Sequence, residues 1–93
     1  MAMPPYSVQW VLPAILRLGG MRVVIYPNDH RPAHVHVIGG GCEAVFNLNC
    51  PAGLVEIREN YGFSGREIAQ MERMLTEHLT ELCEQWELIH EVE

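Results

Sequence analysis

Two segments in the middle of the chain alternate between apolar and polar residues, with the period of two that is typical of β-strands with one buried face. They are residues 33–38, with the sequence AHVHVI, and residues 42–48, with the sequence CEAVFNL. The glycines at positions 39 to 41 separate the two segments and predict a tight turn. The pattern therefore predicts an antiparallel hairpin, and the residues that would share its buried face are Val35, Val37, Ala44, Phe46 and Leu48.

A shared buried face fixes the register of this hairpin, because a shift by one residue moves every side chain to the opposite face. The register requires a two-residue turn at Gly40-Gly41. It places His34 opposite Asn47 and His36 opposite Val45. We therefore expect both histidines side by side on the open face of the sheet, which points away from the core.

Similar patterns on either side of the hairpin predict further strands. Ahead of it, a strand that begins near Ala14 is separated by Gly19-Gly20 from the apolar residues 21–27, which predicts a first hairpin. After it, residues 54–60, with the sequence LVEIREN, predict a short last strand. The strands would then follow one another as a meander.

One long helix is predicted for the C-terminal third of the chain. Ser64 and Glu67 have the spacing of a capping box, in which each side chain accepts a bond from the backbone N–H of the other residue. We expect the end of this helix, residues 86–92, to overhang the small sheet and to be buried by a second subunit or a partner. Apolar residues recur along it at steps of three and four, at Ile68, Met71, Leu75, Leu79, Leu82, Trp86 and Ile89.

These elements predict an α+β fold, in which an antiparallel meander of four to five strands has one face covered by the long C-terminal helix. A chain of 93 residues forms one domain. We expect residues 1–10, which include Pro4 and Pro5, to be a flexible tail and residues 11–93 to be the single α+β domain.

The net charge of −6 is distributed unevenly along the chain. Residues 1–41 hold three arginines and one acid, residues 42–93 hold three arginines and eleven acids, and the chain has no lysine. An acidic second half argues against broad tracking of a nucleic-acid backbone, which needs a dense positive surface. It is compatible with a small cationic pocket on the first half and with a basic protein partner.

The chain carries no signal for a membrane or for secretion. No apolar run approaches the roughly 18 residues that a membrane span requires. The N-terminus has neither a basic segment nor the long apolar segment of a secretion signal. We therefore expect a cytoplasmic protein without a membrane partner.

The three cysteines, Cys42, Cys50 and Cys83, are odd in number and widely spaced. This spacing fits neither a disulfide framework nor a paired zinc ribbon. We expect all three to be reduced, partly buried thiols.

A family resemblance appears in LPAILRLGGMRVVIYPNDHRPAHVHVIGG, residues 12–40, and in GFSGREIAQMERMLTEHLTELCEQW, residues 62–86. Together they resemble a small bacterial family, domain of unknown function 4160, over residues 12–88. Ala33 replaces a second proline of the family pattern, which makes the turn less rigid, and residues 23–25 replace aromatic residues, which argues against a stacking role for that strand. The positions that match are Arg17, Gly19, Arg22, Tyr26, Asp29, His30, Pro32, His34, His36 and Trp86.

The resemblance implies a small-operon protein that acts with a second short protein, as one half of a toxin–antitoxin-like pair. The expected partner is that cognate protein, or a second copy of the chain in a homo-oligomer. For an enzyme of this kind, the candidate catalytic residues are His34 and His36, assisted by His30. Imidazole groups exchange protons near neutral pH, so two of them can act as acid and base at an RNA phosphate, as in a metal-independent ribonuclease.

Four other residues are candidates for substrate binding. Arg22 or Arg31 would neutralise the charge that develops on the phosphoryl oxygens. Tyr26 would stack on a base. Asn47, opposite His34 in the predicted register, completes the set.

The three histidines also fit a zinc site. His30, His34 and His36 would supply three nitrogens and leave one position open, as in a hydrolytic zinc site. Asp29 or Asn47 would orient one of the rings.

Two interpretations without chemistry stay open. The histidines are then only polar residues on a half-exposed sheet. Alternatively, the protein is a non-catalytic interaction module whose acidic C-terminal helix binds a basic partner.

Overall fold

The computed structural model of the protein describes residues 15–90. Five strands form one antiparallel sheet and are adjacent in chain order: β1 (Leu16–Leu18), β2 (Met21–Val24), β3 (His34–Gly39), β4 (Cys42–Asn47) and β5 (Glu56–Tyr61). Two helices follow, α1 (Gly65–Glu77) and α2 (Leu79–His90). The α+β meander is therefore confirmed, whereas the expected tail at 1–10 and the strand start near Ala14 lie outside the described residues.

The predicted register of the central hairpin is confirmed. His34 pairs with Asn47 and His36 pairs with Val45, while Gly39 pairs with Cys42. The turn between the last two residues is Gly40-Gly41, with φ angles of 57° and 80°. Both angles lie in the left-handed region that tight hairpin turns require, which is why glycine occupies both positions.

The core lies between one face of the sheet and the helices. Burying a Leu, Phe or Met side chain stabilises a fold by about 1.5–3 kcal/mol. Contact between the apolar stripe of the helices and the buried face of the β3–β4 hairpin therefore holds the helices on the sheet. In the hairpin the fully buried residues are the predicted ones, Val35, Val37, Ala44, Phe46 and Leu48. On the helices the buried residues are Met71, Leu75, Leu79, Leu82 and Trp86, with Ile68 and Ile89 packed at the edge.

The predicted C-terminal helix is present, but it is interrupted at His78 and forms two helices in place of one. The His78 backbone, with φ −111° and ψ 17°, leaves the helical region, and its N–H bonds to the carbonyl of Leu75. Two residues before His78, the Thr76 hydroxyl donates to the Glu72 carbonyl at 2.7 Å, a back-bond that bends helices. The predicted start is confirmed, since Ser64 forms the capping box.

The expected overhang of the helix end is also wrong for the described residues. Trp86 is fully buried and His90 is 4% exposed. The break at His78 starts a second helix, whose own apolar face packs against the core down to its last described turn. Neither helix within residues 15–90 is long and apolar enough to cross a membrane.

The expectation of three reduced thiols is wrong for two of the cysteines. Cys50 and Cys83 form a disulfide, with a Cα–Cα distance of 5.9 Å. Their sequence separation of 33 hid this pairing, because only the packing of α2 beside the loop after β4 brings the two together. Cys42 is a free, half-buried thiol, as predicted.

Candidate metal centre

The turn between β2 and β3 folds back over the sheet face that carries the two histidines. Because His34 and His36 are two residues apart on β3, their side chains lie on the same face. Two hydrogen bonds fix Asp29 in the turn. The Tyr26 N–H donates to Asp29 Oδ2 at 3.2 Å, and the Asp29 N–H donates to the Tyr26 carbonyl at 3.0 Å.

The Asp29 carboxylate reaches both imidazole rings. Its Oδ2 atom lies 3.1 Å from His36 Nε2 and 3.4 Å from His34 Nε2. Potential ligand atoms from the three residues all lie within 4.8 Å of one another. We call these residues the Asp29–His34–His36 cluster.

The second nitrogen of each ring, Nδ1, lies beside a hydrogen-bond acceptor. His34 Nδ1 lies 2.9 Å from the Pro32 carbonyl oxygen, and His36 Nδ1 lies 3.0 Å from Glu43 Oε2. The Pro32 carbonyl can only accept, so His34 Nδ1 carries a hydrogen and donates it. His36 has a carboxylate oxygen at each nitrogen, and a hydrogen on Nδ1 gives it the same tautomer as His34. In the neutral form of each ring, Nε2 then presents a lone pair to the Asp29 carboxylate.

Three acceptors therefore meet at one point with little access to water. The exposed fractions of the side chains are 6% for His34, 14% for His36 and 16% for Asp29. Asp29 Oδ2 already accepts from the Tyr26 N–H, whereas a buried imidazole Nε2 without a donor would cost roughly 1–3 kcal/mol. The arrangement calls for a positive charge at its centre, either a metal ion or protons on Nε2.

The prediction that both histidines lie on the open face of the sheet is therefore wrong in part. The register placed both histidines away from the apolar core, but His34 is only 5% exposed. The turn that carries Asp29 covers the two rings from outside. His34 also lies beside Trp86 of α2, with ring centroids 6.4 Å apart.

Tyr26 and Arg22 lie on the exposed side of the cluster. The Tyr26 ring meets the His36 ring edge-on, with centroids 4.7 Å apart, and is 39% exposed. Partial burial raises the pKa of Tyr26, the charges of Glu43 and Asp29 raise it further, and the nearby Arg22 guanidinium lowers it. The charge of Arg22 is therefore felt at Tyr26, and the role of Arg22 as an anion contact stays a prediction.

Arg31 lies on the other flank of the turn and contacts α2. Its guanidinium forms two bonds of 3.1 Å with the carboxylate of Glu87 and lies 5.0 Å from the centre of the Trp86 ring. These bonds from Arg31 hold the pKa of Glu87 below its usual value. The His90 ring stacks on Trp86 at 3.6 Å. The expected anion contact at Arg31 is therefore occupied by a carboxylate of the chain itself.

The structure does not bring the third histidine into the cluster. His30 is exposed, and the third member is Asp29, which the sequence suggested only as a residue that orients a ring. Asn47 lies opposite His34, and its Oδ1 atom is buried without a hydrogen-bond partner among residues 15–90.

Sequence reasoning missed the role of Glu43. The signal for it existed, because Glu43 shares the histidine face of β4 in the predicted register and pairs with Ile38, two residues beyond His36. A carboxylate diagonally across from a histidine on one sheet face is within reach of its ring.

Comparison with known proteins gives one match. The model of a family described as "Domain of unknown function (DUF4160)" matches residues 20–87, which include every member of the cluster and its supporting residues. No curated protein and no solved structure matches the chain. The family description assigns no activity, so the function must be argued from the site.

Proposed function

We propose that this chain, which belongs to the DUF4160 family, binds one divalent metal ion at the Asp29–His34–His36 cluster and uses it to hydrolyse an anionic ester. The observation that supports this most strongly is the meeting of three lone-pair-bearing atoms, from Asp29, His34 and His36, in a nearly buried position. One cation would satisfy all three.

The spacing of these atoms suits such an ion. In a tetrahedral zinc site with bonds of about 2.0–2.1 Å, neighbouring ligand atoms lie roughly 3.3 Å apart. Asp29 Oδ2 lies 3.1 Å and 3.4 Å from the two imidazole nitrogens. Two histidines and one carboxylate are also a known catalytic ligand set for zinc and for iron.

The surroundings of the rings resemble the outer shell of a metal site. Metal-binding histidines usually donate the other ring N–H to a carboxylate or a backbone carbonyl, which fixes the ring and its tautomer. Here Glu43 accepts from His36, and Pro32 accepts from His34. Both rings are therefore held with Nε2 directed at the common centre.

A divalent ion in this position would act as a Lewis acid and lower the pKa of water. The chain would supply three ligands and leave a position open for substrate. Arg22 would contact the anionic group, and Tyr26, which is exposed beside His36, would stack on a base. An RNA phosphodiester is accordingly the substrate class that we propose.

Zinc titration and metal content by mass spectrometry test the proposal. We expect one zinc ion per chain in the wild type and in His30→Ala, which is the matched histidine control. Asp29→Asn and His36→Ala should each lose more affinity than the ~10- to 100-fold that the loss of an outer-shell partner costs. An equal loss in His30→Ala would favour a site of three histidines, and no binding to the wild type would reject the proposal.

A second candidate is metal-independent cleavage of RNA, with His34 and His36 as acid and base. The 3.1 Å distance between His36 Nε2 and Asp29 Oδ2 favours it, because this is the length of a hydrogen bond from a protonated ring. Cleavage that survives a chelator and is lost in His36→Ala would support this candidate. Cleavage that a chelator abolishes and zinc restores would support the metal centre.

The toxin–antitoxin-like pair and its cognate partner remain predictions from the family resemblance. The interaction module also remains a prediction, although its geometry changes. The acidic residues Glu84 and Glu87 line a groove beside the exposed Leu88, so a basic partner would bind along α2 and not at an overhanging end.

A further inference from the structure

The Cys50–Cys83 disulfide lies where a thiol from solution can reach it. Cys50 is exposed and Cys83 is half-buried. Both line an open groove with a volume of about 1230 Å³, whose wall also includes Arg31 and Glu87. The bond is therefore not sealed inside the core.

Each end of the disulfide lies next to a group that supports the cluster. Cys50 follows β4 three residues after Asn47, the cross-strand partner of His34. Cys83 lies on α2 about one helical turn before Trp86 and Glu87. The bond thus fixes α2 against the loop that follows β4.

α2 in turn holds the segment that orients His34. Glu87 binds the guanidinium of Arg31 at 3.1 Å through both of its oxygens, and that guanidinium lies over Trp86. The next residue is Pro32, whose carbonyl accepts from His34 Nδ1 at 2.9 Å. A continuous set of contacts therefore runs from the disulfide through α2 to one of the proposed ligands.

We propose that the Cys50–Cys83 disulfide controls metal affinity at the Asp29–His34–His36 cluster, an inference that rests on the proposed function. Two thiols of a dithiol reductant supply two electrons and two protons and become a disulfide themselves. The Cys50–Cys83 bond breaks, and two free thiols remain. A reducing compartment, such as the cytoplasm expected from the sequence, is where exposed disulfides most often act as sensors.

Reduction should loosen α2 without unfolding the domain. The apolar face of α2, formed by Leu79, Leu82 and Trp86, remains packed in the core. Without the covalent bond, however, local opening of residues 83–90 becomes more frequent. The Pro32 carbonyl then holds the His34 ring less firmly, so the cluster is less well organised for an ion and affinity falls.

The test compares Cys42→Ser, which keeps the disulfide, with a variant that also carries Cys50→Ser and Cys83→Ser. Serine replaces the thiols because free thiolates would bind zinc themselves. We expect zinc affinity to fall about tenfold in the triple variant, the lower end of the loss caused by removing outer-shell support. Equal affinities would overturn the redox inference alone, and no zinc binding in either protein would overturn the metal centre as well.

Trp86 provides a second readout that needs neither the triple variant nor a metal. The chain has two tryptophans, so Trp10→Phe leaves Trp86 as the only one. We expect acrylamide to quench its fluorescence more strongly after reduction by a dithiol. Unchanged quenching would overturn the inference, because the proposed set of contacts between the disulfide and His34 includes the contact between Trp86 and Arg31.

Discussion

Asp29 and Arg31 lie two residues apart in the same turn. Asp29 lies 3.1 Å from an imidazole nitrogen of His36, and Arg31 lies 3.1 Å from a carboxylate oxygen of Glu87. Their surroundings differ. The Asp29 side chain is 16% exposed and faces two buried rings, whereas the Arg31 and Glu87 side chains are 62% and 61% exposed. Equal distances therefore describe two different interactions.

Burial decides how much each contact contributes. Water screens the Arg31–Glu87 pair, so this exposed ion pair contributes little to the stability of the fold. Around Asp29 the screening is weaker, so an uncompensated acceptor costs more and a cation gains more. The side of the turn that carries Asp29, its inner flank, is therefore suited to ion binding. The side that carries Arg31, its outer flank, is suited to contact with α2.

The largest expected effect is stabilisation of the fold by zinc. A ligand at 100 times its dissociation constant raises the free energy of unfolding by about 2.7 kcal/mol. We expect this gain for the wild type and for Glu59→Gln, which changes a carboxylate on the exposed β5 strand, and its loss in Asp29→Asn. Urea unfolding with and without zinc measures it, and an equal gain in Asp29→Asn would place the ion elsewhere.

An intermediate effect is expected at the carboxylate that orients His36. Glu43→Gln weakens the hydrogen bond to Nδ1, so zinc affinity should fall by about 10- to 100-fold. Glu59→Gln is the matched control, since Glu59 lies on the exposed β5 strand and accepts a hydrogen bond from the Tyr61 hydroxyl at 3.2 Å. Similar losses in both variants would mean that overall charge, and not the orientation of the ring, sets the affinity.

The smallest effect is expected on the outer flank, and it depends on pH. Bonds from Arg31 lower the pKa of Glu87 in the folded protein, so the pair stabilises the fold above the unfolded pKa, about 4.3 for a glutamate. This contribution is lost as the pH falls through the lower, folded value. Thermal unfolding should thus show a slightly lower Tm for Glu87→Gln at pH 7, and the difference should vanish in acid. A larger difference in acid than at pH 7 would contradict this sign.

The candidate site was predictable to the extent that it depends on one hairpin. Alternation along β3 and β4 indicated that His34 and His36 share a face with Glu43 and Asn47, and the observed pairing confirms that register. The third ligand was not predictable in the same way. A strand has a fixed period, but whether Asp29 or His30 points at the rings depends on the backbone of an irregular turn.

The sequence by itself determined the features that repeat over short distances: the order of the strands, the buried faces, the capping box at Ser64 and the apolar stripe of the helices. Each follows from a local period or a spacing of three or four residues. Only the tertiary structure decided which distant groups meet, namely Cys50 with Cys83, Arg31 with Glu87, and Asp29 with both histidines. These meetings depend on how α2 and the turn pack against the sheet, and no local pattern in the chain encodes that geometry.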